Sequence, residues 1–492
     1  MDFLKKLHSD SWIYPTVILC IFGFFSMLRP SEPFLTPYLT GPDKNLTIDE
    51  VTHQVFPVWT YSYLVILVPV FLLTDYLRYK PVIILQGLSY IISWLLLLFA
   101  QGIPSMQALE FFYGMVTATD VAYYAYIYSV VSSDHYQRVT GYCRSITLFG
   151  FTVGSILGQL LVSLAGISYF YLNAISLSSV SVAFISSLFL PMPKKSMFFH
   201  QKAANVSTNV SSPPCNNNGP QSHPKSKVTQ HPPLDFGKVP ENNSYQNEES
   251  KHFLKVLLQL CKDLRECYST KQLLYWSVWW ALATAGYNQV LNYVQVLWDH
   301  IEPSQNTTVY NGGVEAASTF LGAMTSFAVG YVKINWDLYG ELALGIFSAV
   351  DAGALLLMDF TWNIWVCYAG YLVFKASYML LITIATFQIA VNLSMERYAL
   401  MFGVNTFVAL VLQTILTVTV VDSKGLNLAI IPQFLIYGSY FAVIAGIFLL
   451  RSIYTIISIQ CKKKSQISTL SQPHARSQAL EEEETSSSET RL

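Results

Sequence analysis

Charge is the scarcest commodity in this chain. Only 12 % of its 492 residues are Asp, Glu, Lys or Arg, against about 25 % in an ordinary soluble domain. The net charge is −1, so no general basic field points to nucleic acid. Cysteine is sparse too: the seven residues, Cys20, Cys143, Cys215, Cys261, Cys267, Cys367 and Cys461, show neither a disulfide framework nor zinc-ligand spacing. There is no HExxH, no Walker loop and no GxSxG, and the histidines sit mostly in polar stretches. These gaps argue against an enzyme, a resident metal or cofactor, and an ATP-driven pump. The first apolar run, from about Trp12, has no convincing small-residue cleavage site, so it reads as a retained helix.

What is present is apolar and aromatic. Hydrophobic residues make up 52 % of the chain and aromatics 14 %, and the mean hydropathy is +0.39. The 31 Tyr and 10 Trp exceed what interfacial belts require. Twelve runs meet the length of about twenty residues needed to cross a bilayer. The first six are 11–29, 56–75, 82–101, 106–131, 142–164 and 167–190; the second six are 275–298, 309–331, 339–358, 363–391, 397–421 and 431–452. The expected class is an all-α membrane protein of two six-helix, pseudo-symmetric bundles, 1–193 and 272–455.

A polar segment, 194–271, separates the halves. Its middle, rich in Asn, Ser and Pro, is expected to be disordered. Its end, 252–268, has helical apolar spacing at Phe253, Val256, Leu257, Leu260 and Leu264 and reads as an amphipathic helix under the membrane. The tail 456–492 is expected to be disordered and cytoplasmic, and it ends acidic at Glu481 to Glu484. Lys and Arg cluster on the loops that lie inside if both termini are cytoplasmic. Asn45 and Asn306 then open sequons on outer loops and are candidate glycosylation sites. Asn205, Asn209, Asn242 and Asn392 fall on the inner side and read as chance matches.

The sharpest signal lies in 106–131. An acid at lipid depth costs about 2.5–3.5 kcal/mol on insertion scales, yet this run carries Glu110 and Asp120. At 100° per residue Glu110, Tyr113 and Thr117 share a side, with Tyr124 near it. That side suits a water-filled path for an aromatic cation. A first-turn position near headgroups is the alternative for Glu110. Span one ends in Arg29-Pro-Ser-Glu32-Pro-Phe-Leu-Thr-Pro37; Glu32 either faces the cavity or pairs with Arg29. Span two opens with Phe56, Trp59 and Tyr63 on one face, either a stacking surface or part of an interfacial belt. Span seven carries an amide stripe, Asn288, Asn292 and Gln295, for a heterocycle or for a neighbouring helix. Glu315 in span eight corresponds by the repeat to span two and is expected in the cavity, with a structural pair as the alternative. Lys375 in span ten must be paired or solvated, balancing a cavity acid or serving a proton-coupled step; Asp351 is a possible partner that lies at a different depth. Arg138 and Arg144 flank an inner turn and read as gate or headgroup contacts.

The loop Asp75-Tyr-Leu-Arg78-Tyr-Lys80-Pro has a charged counterpart, Gly330-Tyr-Val-Lys333-Ile-Asn-Trp-Asp337, at the same place in the second half. It resembles, loosely and without the usual glycines, the motif of the major facilitator superfamily. More specifically, RPSEPFLTPYLTGPDKNLT, FPVWTYSYL, DYLRYKPVIILQG, EFFYGMVTA, HYQRVTGYCRS, WWALATAGYNQVLNYVQVLW and FQIAVNLSMERYALMFGVNTF resemble the reduced folate carrier family across nearly all of the membrane part. The resemblance implies a multi-pass plasma-membrane carrier in the lipid bilayer, working by alternating access. It implies uptake of thiamine, with pyridoxine and related cationic heterocycles as further cargo, no sodium requirement, and a proton linkage. It implies no cofactor and no nucleic acid. The acids Glu32, Glu110 and Glu315 outnumber Lys375, which suits a cation better than the folate dianion. Another organic cation as main cargo, or a receptor that does not transport, are the competing readings.

Overall fold

The computed structural model describes residues 12–131, 135–193, 255, 258–304, 309–329, 336–390, 393 and 395–489. Twelve long helices are present among them. The first half holds α1 (Ile13–Met27), α2 (Phe56–Tyr76), α3 (Lys80–Phe99), α4 (Ile103–Val130), α5 (Tyr136–Ser163) and α6 (Tyr169–Leu188). The second holds α7 (Lys271–Ile301), α8 (Asn311–Val329), α9 (Trp336–Phe360), α10 (Ile364–Ala390), α11 (Met395–Leu416) and α12 (Ile430–Glu489).

Local chemistry fixes the helix boundaries. Helices α2, α3 and α4 each carry proline in the first turn, at Pro57, Pro81 and Pro104, where its missing N–H costs nothing. Gly102 and Gly166, at φ +83° and +60°, make the tight links before α4 and before α6. The link before α2 starts with a Thr47–Glu50 capping box and passes through one wide π turn, Val51–Val55. The Asp75–Lys80 loop is locked by Tyr79, whose hydroxyl donates to Asp75 at 2.6 Å, and by Lys80, which donates to the Leu188 carbonyl at 3.0 Å. Most of its counterpart, 330–335, lies outside the described residues, as do Asn306, Asn392 and the segment 194–254.

Packing repeats between the halves. In the first half α1 packs on α5 and α6, α4 on α2 and α3, and α3 on α6. Each of these pairs recurs in the second half with six added to both labels. The seams between halves, α2 on α11 and α5 on α8, exchange under the same relation. Nine segments among the described residues are long and apolar enough to cross a membrane. The remaining three helices are α4, α7 and α8, which carry Glu110, Asp120, Glu315 and the amide stripe.

The α1–α5 contact needs small residues. A Cβ on Gly150 would stand 2.6 Å from the Phe24 carbonyl oxygen and one on Gly154 2.8 Å from the Arg29 nitrogen; Gly158 meets the Pro30 carbonyl in the same way. Their spacing of four puts them on one stripe of α5. Gly154→Val is expected to lower stability by about 1–3 kcal/mol through overpacking. A thermal denaturation midpoint in detergent equal to the parent's would contradict this.

At its far end α12 continues past its apolar part, Ile430–Ser458, to Glu489. Its backbone is helical through most of the stretch expected to be disordered; the Ala, Leu, Gln and Glu there are strong helix formers. Of the expected amphipathic segment, residues 258–268 are helical, and the rest of 252–257 apart from Lys255 lies outside the described residues. Asp263 and Glu266 there pair with Arg397 at the start of α11, at 3.4 and 2.9 Å.

Candidate functional site

A cavity of about 340 Å³ lies between the two halves, within the range of small-molecule sites. All seven residues expected to meet a substrate line it: Glu32, Phe56, Trp59, Glu110, Tyr113, Asn292 and Glu315. So do Thr117 and Asp120 on α4, Asn288 and Gln295 on α7, and Lys375 on α10. The helix periods are the reason: 110, 113, 117 and 120 form one face of α4, and 288, 292 and 295 one face of α7.

The charges sort into pairs and a remainder. Arg29 is buried and bonds Glu32 at 3.0 Å; its Nη1 donates to the Tyr113 hydroxyl at 2.8 Å, which donates to Glu32 Oε1 at 2.8 Å. The guanidinium stands 5.3–5.8 Å from the ring centres of Tyr90, Trp94 and Tyr113, a cation–π arrangement. Glu32 thus does both things its sequence position allowed: it pairs with Arg29 and it faces the cavity. Lys375 Nζ bonds Glu315 Oε2 at 2.6 Å, and the Tyr371 hydroxyl donates to Glu315 Oε1 at 2.7 Å. Glu315 therefore lines the cavity as a member of a buried pair. Its partner is Lys375, so Asp351 is not what balances that lysine. Asp351 is fully buried on α9, with the Ser377 hydroxyl beside it.

Two acids remain. Asp120 accepts from the Gln86 amide at 2.5 Å. Glu110 is 4 % exposed, and its carboxylate has no hydrogen bond or ion pair among the described residues. The Asn292 Nδ2 is likewise buried and without a partner among them. Phe56, Trp59 and Tyr113 give aromatic walls; Trp59 is oriented by its indole N–H, which donates to Thr117 at 3.2 Å, and Phe56 lies edge-on to Tyr293 at 6.1 Å. After pairing, the site offers two carboxyls without an ion-pair partner and one unused amide donor among the described residues, beside flat apolar surface. That is chemistry for a flat cation with hydrogen-bonding edges.

Sequence reasoning placed nothing on α3. Yet Tyr90 and Trp94 line the cavity beneath Arg29, and Gln86, one turn before Tyr90, holds Asp120. That spacing was the available signal, masked by the strongly apolar run around it. Phe151 on α5 was also missed. Arg138 and Arg144 are exposed and lie off the cavity.

A set of bonds between halves gathers at one end. Tyr61 donates to Asp422 at 2.6 Å, Gln413 to Thr60 at 3.3 Å and Thr40 to Asp299 at 3.5 Å; His53 Nε2 lies 3.0 Å from the Leu428 carbonyl. Asp422 lies just beyond its membrane span. Burial works against its charge, but bonds from Tyr61 and from the Lys424 N–H outweigh that and hold its carboxyl below the usual range. Gln159 on α5 adds bonds to the Val309 carbonyl and the Gly313 N–H across the other seam. This end is sealed.

The profile of the reduced folate carrier family matches residues 10–436. The chain is 64 % identical to human thiamine transporter 2, over 95 % of each chain, and 56 % identical to human thiamine transporter 1, over 93 % of each. In three dimensions it is similar to the nucleoside transporter NupG, with a TM-score of 0.55 at 11 % identity, covering 89 % of this chain and 98 % of that one. At that identity the likeness speaks for the fold alone, the two-bundle major facilitator fold. The chain belongs to the reduced folate carrier family.

Proposed function

We propose that this protein is a plasma-membrane transporter that takes up thiamine by alternating access. The observation that carries the reading is the pair of uncompensated acids, Glu110 and Asp120, in a cavity walled by aromatic rings. The identity to thiamine transporters over almost the whole chain supports it. Thiamine joins a permanently charged thiazolium to an aminopyrimidine. Glu110 accepts from the exocyclic amine, Phe56, Trp59 and Tyr113 stack on the rings, and Asn292 donates to a ring nitrogen. Glu315 closes the site from the second half in its paired state with Lys375. Pyridoxine, which has no permanent charge, and related cationic heterocycles meet the same requirements less fully.

Both termini face the cytoplasm in this reading. The sealed end is then external, and the described conformation is the one closed to the outside. The Asn45 sequon falls on an external loop. Enzymatic deglycosylation is expected to shift the mobility of the parent protein, with a smaller shift in Asn45→Gln; equal shifts in both would place the sugar elsewhere.

The deciding experiment is time-dependent accumulation of labelled thiamine in cells or proteoliposomes, with and without a pH gradient. Accumulation displaced by unlabelled thiamine, more weakly by pyridoxine and not by folate, is expected. Surface binding without accumulation would favour a receptor. A gradient with no effect on rate would remove the proton linkage. Stronger displacement by another organic cation would make that compound the principal cargo.

A further inference from the structure

One bond at the sealed end differs in kind from its neighbours. Gln295 on α7 turns its carboxamide toward the stretch that follows α1. Its Nε2 donates to the Glu32 carbonyl at 3.1 Å, and its Oε1 accepts from the Thr36 N–H at 3.3 Å. Those two backbone groups are four residues apart, the pair that an unbroken α-helix joins directly. Here the backbone makes a 3₁₀ turn over Glu32–Phe34, in which the Leu35 N–H takes the Glu32 carbonyl, before a short helix, Leu35–Thr40. Pro33 and Pro37 fall within the same stretch and bring no N–H of their own. One side chain from the opposite half thus offers a matched acceptor and donor to the two ends of a broken turn.

Glu32 is also the residue whose carboxylate reaches into the cavity, where it holds Arg29 and accepts from Tyr113. Its carbonyl answers to the seal and its side chain to the site. Gln295 itself lines the cavity.

We propose that Gln295 is a positioning residue for transport: its amide is an exchangeable insert in the Glu32–Thr36 turn, and it ties the closed state of this end to the placement of the Glu32 carboxylate. When the halves part here, the amide withdraws with α7. The Glu32 carbonyl and the Thr36 N–H then close on each other as an ordinary helical bond, so neither is left bare. That exchange turns the Glu32 peptide and carries its carboxylate with it. A conformational balance moves only through interactions that differ between the two forms, and in this proposal the bridge exists in the closed form alone. Its part in transport rests on the proposed function, whereas the bridge itself is defined without any substrate.

The test uses the full-length protein with its seven cysteines replaced and spin labels at Pro42→Cys and Ser423→Cys, two exposed positions on opposite halves at this end. Distance distributions are measured in nanodiscs without substrate, for the parent, Gln295→Leu and Gln295→Glu. Losing two bonds and regaining one is expected to shift the closed-to-open ratio about tenfold toward open in Gln295→Leu. Gln295→Glu, which keeps an acceptor for Thr36 but sets an oxygen against the Glu32 carbonyl, is expected to shift the same way. Unchanged distances in the two variants would overturn the proposal, and weakened thiamine binding beside them would make Gln295 a substrate contact only. If Gln295→Leu is not recovered as folded protein, Gln295→Glu decides by the same criterion. Failure of the parent to accumulate thiamine would count against the function and leave the distance result standing.

Discussion

Replacing Glu110 by Gln is expected to remove most thiamine uptake while the protein still reaches the cell surface. The side chain is buried on the cavity face of α4 and has no protein partner among the described residues. The swap keeps its shape, so little of the surrounding packing should change. What goes is the charge that meets the aminopyrimidine amine. A hydrogen bond to a charged group contributes about 1.5–3 kcal/mol, which corresponds to about a ten- to hundredfold loss of affinity. Labelled uptake normalised to surface-biotinylated protein measures it. Uptake within twofold of the parent would take Glu110 out of the site. Asp120→Asn is expected to lose less, because Gln86 already satisfies part of that carboxylate.

The second large effect concerns stability. Lys375 is 5 % exposed and Glu315 8 %. Lys375→Met strands a carboxylate in a nearly dry interior, and breaking such a pair from one side costs about 3–5 kcal/mol. Surface abundance and the thermal midpoint should both fall sharply. Removing the partner as well, in Lys375→Met with Glu315→Gln, is expected to restore most of the loss, because two neutral groups of similar volume need no counter-charge. Removing one acid and one base leaves the two surplus acids in place, so the rescued protein should still prefer cations. A double variant no more stable than the single one would mean that the two side chains do not act as a pair.

These expectations come from different depths of reading. Lipid-depth cost and helical period were enough to single out Glu110, and the amide stripe on α7 that contains Gln295, as candidates for a cavity, but not to choose between a cavity and the alternatives. Periodicity sees one helix at a time and loses whatever depends on a second. It left Glu32 suspended between two roles because the answer lay in Tyr113, on another helix. It offered Asp351 as a possible match for Lys375, whereas α8 supplies the partner. It passed over Tyr90 and Trp94 because a buried aromatic in an apolar run looks like core until the Arg29 guanidinium is found above it. The halves were recognisable as repeats from their loops, but the correspondence of their helix contacts needed coordinates.

The two seams, α2 with α11 and α5 with α8, have a consequence for leakage. They are images of each other, so a tilt that spreads both at one membrane face draws both together at the opposite face. No rigid rocking motion parts all four seam ends at once. In the proposed alternating-access cycle, such a tilt keeps one face shut at every stage without a dedicated plug.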